Sequence, residues 1–228
     1  MERLAEHLRR ASTLLTGASS KLTNDRHAKR IFMAFAKKRK LVYFAHVDTR
    51  ENDSQVVRGI TLGMSVRDSH HLFGSHDGYD IICVQRQGEA GTNHLWTVME
   101  FDLHTAVGLP HVMLGKKTEV QPLFESLLGI HRDLQIHEFD DTKNHHRKFT
   151  KHFVAYAPPA HAPLVEHIIS PELTSSLVDH IHRIVIEIEG DSVYLSVDDP
   201  TLSVQYLDKM MHYGIQFAKH IDQRMGAL

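Results

Sequence analysis

Apolar and polar positions alternate along this chain with two different periods, and the change of period marks its elements. Residues 3–15 place Leu4, Leu8 and Leu15 near one helical face with arginines opposite, and Thr16 to Ser20 breaks the pattern. A second helix is expected over 24–39, capped by Asn24 or Asp25, with Ile31, Phe32, Phe35 and Ala36 as its apolar stripe. A period of two then takes over. Leu41 to Val47 is a strand candidate, and Val56 to Val66 a weaker one broken by Gly59 and Gly63. His70 to His76 and Tyr79 to Gln87 flank Asp77-Gly78, a strong hairpin signal. In His94 to Leu103, Leu95, Thr97, Met99 and Phe101 face one way, with Trp96, Val98 and Glu100 the other. Pro110 to Gly115 adds a short strand, and tight turns between successive strands predict an antiparallel meander.

Pro122 to Leu128 reads as a short helix ending at Gly129, and residues 131–148 are polar and His-rich. Phe149 to Tyr156 is expected to be a strand, and Leu164 to Ile169 a helical turn or two. Ser170-Pro171-Glu172 is a helix start, with Ser as cap and Pro at the first helical position; Leu173, Leu177, Val178 and Ile181 supply its buried face. Ile184, Ile186 and Ile188 alternate inward, Gly190-Asp191 turns the chain, and Val193, Leu195 and Val197 return. A last helix over 201–223 carries Val204, Leu207, Met211, Ile215, Ala218 and Ile221 at three-to-four spacing.

The expected fold class is α+β: antiparallel sheet with helices packed on one face and an N-terminal helical arm. Three segments follow: a basic arm over 1–40, a β-rich half with a short closing helix over 41–130, and a strand–helix–hairpin–helix half over 131–228.

The C-terminal half resembles an uncharacterised family of bacterial α+β proteins. The matching residues are Phe149, Lys151, Phe153 and Tyr156; I-S-P-E-L-x-x-x-L from Ile169 to Leu177; and I-E-I-E-G-D-x-V-Y-L from Ile186 to Leu195. Leu123 to Gly129 and Phe101-Asp102-Leu103 fit the same order. These are packing and turn motifs, so the resemblance implies a fold and no activity. Members of that family often carry membrane spans ahead of the soluble domain. The resemblance therefore implies a basic segment lying against a membrane without crossing it.

Charge sharpens that expectation. The net charge of the 228 residues is −2, yet residues 1–40 hold eleven Lys or Arg against three acids. That is +8 for the first forty residues and leaves −10 for the remainder. Lys37, Lys38, Arg39 and Lys40 form the densest cluster, suited to an anionic membrane surface, an acidic protein partner or the chain's own acidic body. Nucleic acid ranks below these, because outside 1–40 the chain lacks a basic-aromatic signature. No apolar leader or run of about 20 apolar residues is visible, so a cytoplasmic, at most membrane-peripheral, chain is expected. Cys83 is alone within the apolar run 81–84, which suits a small buried hydrophobe and excludes an internal disulfide.

Twenty histidines raise a metal-binding alternative. His145, His146 and His152, with Asp140 and Asp141, form one candidate cluster; His180 and His182 would share a face if they lay on a strand. None has the spacing of H-E-x-x-H, which His137-Glu138 with Asp141 matches only superficially. Gly108 to Thr118 has six residues between its glycines where a phosphate-binding loop needs four, and His131-Arg132-Asp133 lacks the Asn of a kinase catalytic loop. No nucleophile motif is present. Glu187 and Glu189 read as the solvent face of a strand, and Tyr43 and Trp96 as the more plausible surface aromatics. The leading expectation is a non-enzymatic binding module needing no cofactor. The alternative is a His-based metal protein or metal-dependent hydrolase using a divalent transition metal.

Overall fold

Asp77 and Gly78 both adopt left-handed backbone, at φ 54° and 89°, the geometry a two-residue hairpin turn requires. They close β2 (Arg67–His76) onto β3 (Tyr79–Gln87). The computed structural model describes residues 25–47, 57, 67–87, 95–118, 133–139, 145–180, 184–198 and 202–226. Within these, α1 spans 25–39 and leads into β1 (Val42–Phe44). After the hairpin come β4 (Leu95–Asp102), β5 (Leu109–Lys116) and β6 (Gln135–His137). Then follow α2 (Arg147–His152), β7 (Phe153–Ala157), α3 (Ala162–Ile168) and α4 (Pro171–His180). The chain finishes with β8 (Val185–Gly190), β9 (Ser192–Asp198) and α5 (Val204–Arg224).

Among the described residues the nine strands form one antiparallel sheet in the order β1-β2-β3-β4-β9-β8-β5-β7-β6. The fold class is α+β, with the helices on one face. The meander expected from successive strands holds from β1 to β4. The β8–β9 hairpin then inserts between β4 and β5, so the sheet is continuous across the first and second halves of the chain. The short β4–β5 connection passes over the hairpin tip, where the Leu103 N–H donates to the Asp191 carbonyl at 2.7 Å. Asp222 of α5, fully buried, fastens this connection: it accepts from Tyr79 Oη at 2.8 Å and from the His104 and Thr105 amides at 3.0 and 3.2 Å.

The alternation in the sequence now acquires its cause. Cys83, Met99, Phe101, Ile186, Ile188, Leu195 and Val197 point to the helix side and form one core with Phe32 and Phe35 of α1 and Leu207, Met211 and Ile215 of α5. Each such large side chain contributes about 1.5–3 kcal/mol on burial. Ser203 caps α5 by accepting from the Tyr206 amide at 3.1 Å, and Ser170 caps α4 through the Leu173 amide at 3.3 Å. The opposite face is not bare. Val57, Val84, Val98 and Tyr194 form one small cluster there, with Ile82 and Trp96 against it, and Met113, Leu134, Val154, Tyr156 and Val185 form another.

One predicted strand is corrected. Residues 147–152 are helical, and the strand begins at Phe153. His146 supplies the reason: its Nδ1 accepts from the Lys148 amide at 3.2 Å and starts the helix, which turns Phe149 into the core. The expected helices over 3–15 and 122–128 and the strand over 56–66 lie outside the described residues, apart from Val57.

Candidate functional site

Among the described residues, α1 and the strand after it carry both exposed cations and three of the exposed large apolar side chains. Ala28, Ile31, Phe32, Phe35 and Ala36 are buried at helical spacing, which directs the rest of α1 outward. The helix closes at Lys40, which takes left-handed φ 58° while the Leu41 amide donates to Ala36 O at 2.9 Å. Glycine usually fills that position; lysine here puts a charge at the exposed corner. Of the predicted cluster, Lys37, Lys38 and Lys40 are exposed. Lys38 and Arg39 bind Asp208 of α5, at 2.7 and 2.6 Å. Burial pulls the Asp208 carboxyl up, and the hydrogen bonds from Arg39 and Lys38 outweigh it, holding it below its ordinary value. Half of the basic run is therefore spent on the chain's own acidic body.

In the same stretch of chain, Met33, Val42 and Phe44 are 48, 55 and 47% exposed. β1 is an edge strand, and Phe44 meets Phe73 edge-on at 5.8 Å. The corner is held rigid from beneath. Tyr43 Oη lies 2.8 Å from His70 Nδ1, and His70 Nε2 lies 3.0 Å from Asp25 Oδ1. His70 sits in a bulge of β2 at φ 52°. Burial holds its imidazole below the usual histidine value, against the pull of Asp25. Burial likewise raises the Tyr43 hydroxyl, with Asp25 adding to it, so this trio fastens α1 to the sheet rather than activating a nucleophile.

Among the described residues, His145, His146 and His152 do not converge as a group of potential metal ligands. His145 is buried, and its Nε2 lies 3.2 Å from Glu166 Oε2, while His137 Nε2 takes the other oxygen at 3.1 Å. Phe139 packs edge-on against His137 at 4.9 Å. His146 caps α2, and His152 ends it, exposed. The His180 side chain, His182, Asp140 and Asp141 lie outside the described residues; α4 runs through position 180, so that backbone is helical rather than strand. Among the described residues, the group of potential ligands that converges is one the sequence reading missed: His111, Glu187 and Glu189. Glu187, expected on a solvent face, is 2% exposed. Tyr43 and Trp96 are half-buried against the core and against the smaller cluster, respectively.

No protein-family model and no curated protein matches the chain. Its fold is similar to that of the mycobacterial trehalose monomycolate transport factor A, TtfA, with a TM-score of 0.58 at 13% identity, over 89% of this chain and 97% of that one. At this identity the likeness is one of fold. It agrees with the resemblance to an uncharacterised family. No helix among the described residues is long and apolar enough to cross a membrane.

Proposed function

We propose that this protein is a non-enzymatic binding module that attaches to an anionic membrane surface through the corner formed by α1 and β1. The observation that carries this reading is the placement of exposed Lys37 and Lys40 in the same short stretch as exposed Met33, Val42 and Phe44. Cations draw a protein to anionic head groups, and apolar side chains beside them enter the interface. Several of the buried polar groups described above are engaged with one another, Glu166 with His137 and His145, and Asp222 with Tyr79. Such groups serve as ties between elements. The likeness in fold to a protein named as a transport factor supports an accessory role over a catalytic one.

Vesicle flotation tests the reading. The chain should float with phosphatidylglycerol vesicles at low salt, release at high salt, and ignore phosphatidylcholine. Each lysine near such a surface is worth about 1 kcal/mol, so Lys37→Ser with Lys40→Ser should weaken attachment by roughly tenfold or more. Phe44→Ser should weaken it without changing the salt dependence. A chain that ignores anionic vesicles at low salt overturns the proposal.

A further inference from the structure

We infer that His111, Glu187 and Glu189 form a site for a divalent transition-metal ion of the zinc class on the face of the sheet opposite the described helices. Glu187 and Glu189 are two apart on β8 and so share a face. His111 comes from β5, beside it, where the register shifts between Leu109 and Val112. Such a shift re-aims a side chain, and here His111 Nε2 comes 2.5 Å from Glu187 Oε1. One potential ligand atom from each of the three residues lies within 4.8 Å of the other two. A zinc ion with ligands at about 2.0–2.2 Å spans such a set after small side-chain rotations, and three protein ligands leave a fourth position open. The imidazole favours zinc, copper, iron or nickel over calcium or magnesium.

A second observation points to the same place. The row that crosses the sheet here runs Glu100, Tyr194, Glu187, Met113 on four neighbouring strands. Glu100 is 8% exposed; Ser192 Oγ donates to its Oε1 at 3.1 Å, and its Oε2 is buried with no hydrogen-bond partner. Tyr194 stands between this carboxylate and the proposed ligands. It is the register partner of both Glu100 on β4 and Glu187 on β8. Buried carboxylates are ordinarily paired, protonated or bound to metal. Tyr194 and Glu100 would form the outer layer that orients the ligands. The His137–Glu166–His145 cluster is a poorer candidate, because its imidazoles approach different oxygens of one carboxylate.

The test is zinc titration of the full chain after chelator treatment, followed by calorimetry and by the metal-induced rise in melting temperature. One zinc per chain is expected. Loss of an outer partner of a ligand already costs about 10–100-fold in affinity, so His111→Ala and Glu189→Gln should each weaken binding by at least about tenfold. His145→Ala should leave it unchanged. Glu189 is the more exposed of the two carboxylates, so its variant keeps the test valid if Glu187→Gln does not fold. No saturable binding overturns the inference. So does binding that survives both His111→Ala and Glu189→Gln, whether or not it is lost in His145→Ala.

Discussion

Arg39 and Asp208 stand 169 positions apart in the chain and meet at 2.6 Å, with Lys38 on the other oxygen of the same carboxylate. The contact divides the basic run into two cations held by Asp208 and two that Asp208 does not hold, and it makes the competition between own-body and membrane attachment measurable. Asp208→Asn keeps the shape and removes the charge. The pair is partly exposed, so the expected loss of stability is about 1 kcal/mol or less. Lys38 and Arg39 are released at the same time. Flotation with phosphatidylglycerol vesicles should therefore tighten at low salt. Unchanged flotation would mean that Lys38 and Arg39 contribute nothing to surface attachment.

Gly214 records how closely α5 lies on the sheet. A Cβ built there falls 2.1 Å from the Phe101 ring. Alanine improves helix propensity by about 1 kcal/mol, yet overpacking a tight core costs about 1–3 kcal/mol or more, and at this distance the ring must move. Gly214→Ala is expected to be destabilising overall in urea unfolding. Phe101→Leu should recover part of the loss when combined with it, although it is destabilising alone. Additive losses would show that the two positions do not touch.

Local chemistry was legible and long-range register was not. Asp77-Gly78 announced its hairpin, Ser170-Pro171 its helix, and the spacing from Leu207 to Ile221 the face of α5, because each signal is complete within a few residues. Phe149 and Phe153 misled because a separation of four fits both a helical face and a strand face; the His146 cap decided between them. The insertion of β9 and β8 between β4 and β5 has no local signal, and it creates the row from Glu100 to Glu187. Glu187 looked like a solvent-facing residue because alternation gives the face but not whether that face is covered. His111 was invisible as a partner because it reaches Glu187 only through the shifted register of β5 and β8.

Glu100 makes stability depend on pH in a particular direction. Burial pushes its carboxyl up to about 7, Asp102 and Asp191 add to the rise, and hydrogen bonds from Ser192 and Tyr194 oppose it. The folded chain thus keeps this proton up to about pH 7, whereas the unfolded chain releases it near 4.5. Stability from this group is full below the unfolded value, falls as pH rises between the two, and is flat above. Glu100→Gln cannot ionise and still accepts from Ser192. It should be more stable than the parent at pH 8, by up to about 3 kcal/mol. The two should converge near pH 4.5. Urea titrations at both pH values check this, and a variant no more stable than the parent at pH 8 contradicts it.

Asp68 and Arg86 are register partners on β2 and β3, and the guanidinium is fully buried. Its Nε and Nη2 lie 2.8 and 2.9 Å from the two carboxylate oxygens, and Nη2 also donates to the Val57 carbonyl at 2.5 Å. Burying this pair carries a large desolvation penalty, so its presence does not by itself argue for stability. Removing one member is a different matter, because Asp68→Ala takes from a fully buried guanidinium the carboxylate that meets both its Nε and Nη2. Asp68→Ala is expected to cost about 3–5 kcal/mol in urea unfolding. Replacing both, with Asp68→Ala and Arg86→Met, should lie much closer to the parent, since an apolar side chain of similar length needs no partner. The double variant still loses the tie between residue 57 and the sheet, so limited proteolysis near Val57 should quicken even where global stability is restored. A double variant as unstable as Asp68→Ala would show that losing the tie to Val57 costs as much as relieving the buried guanidinium gains.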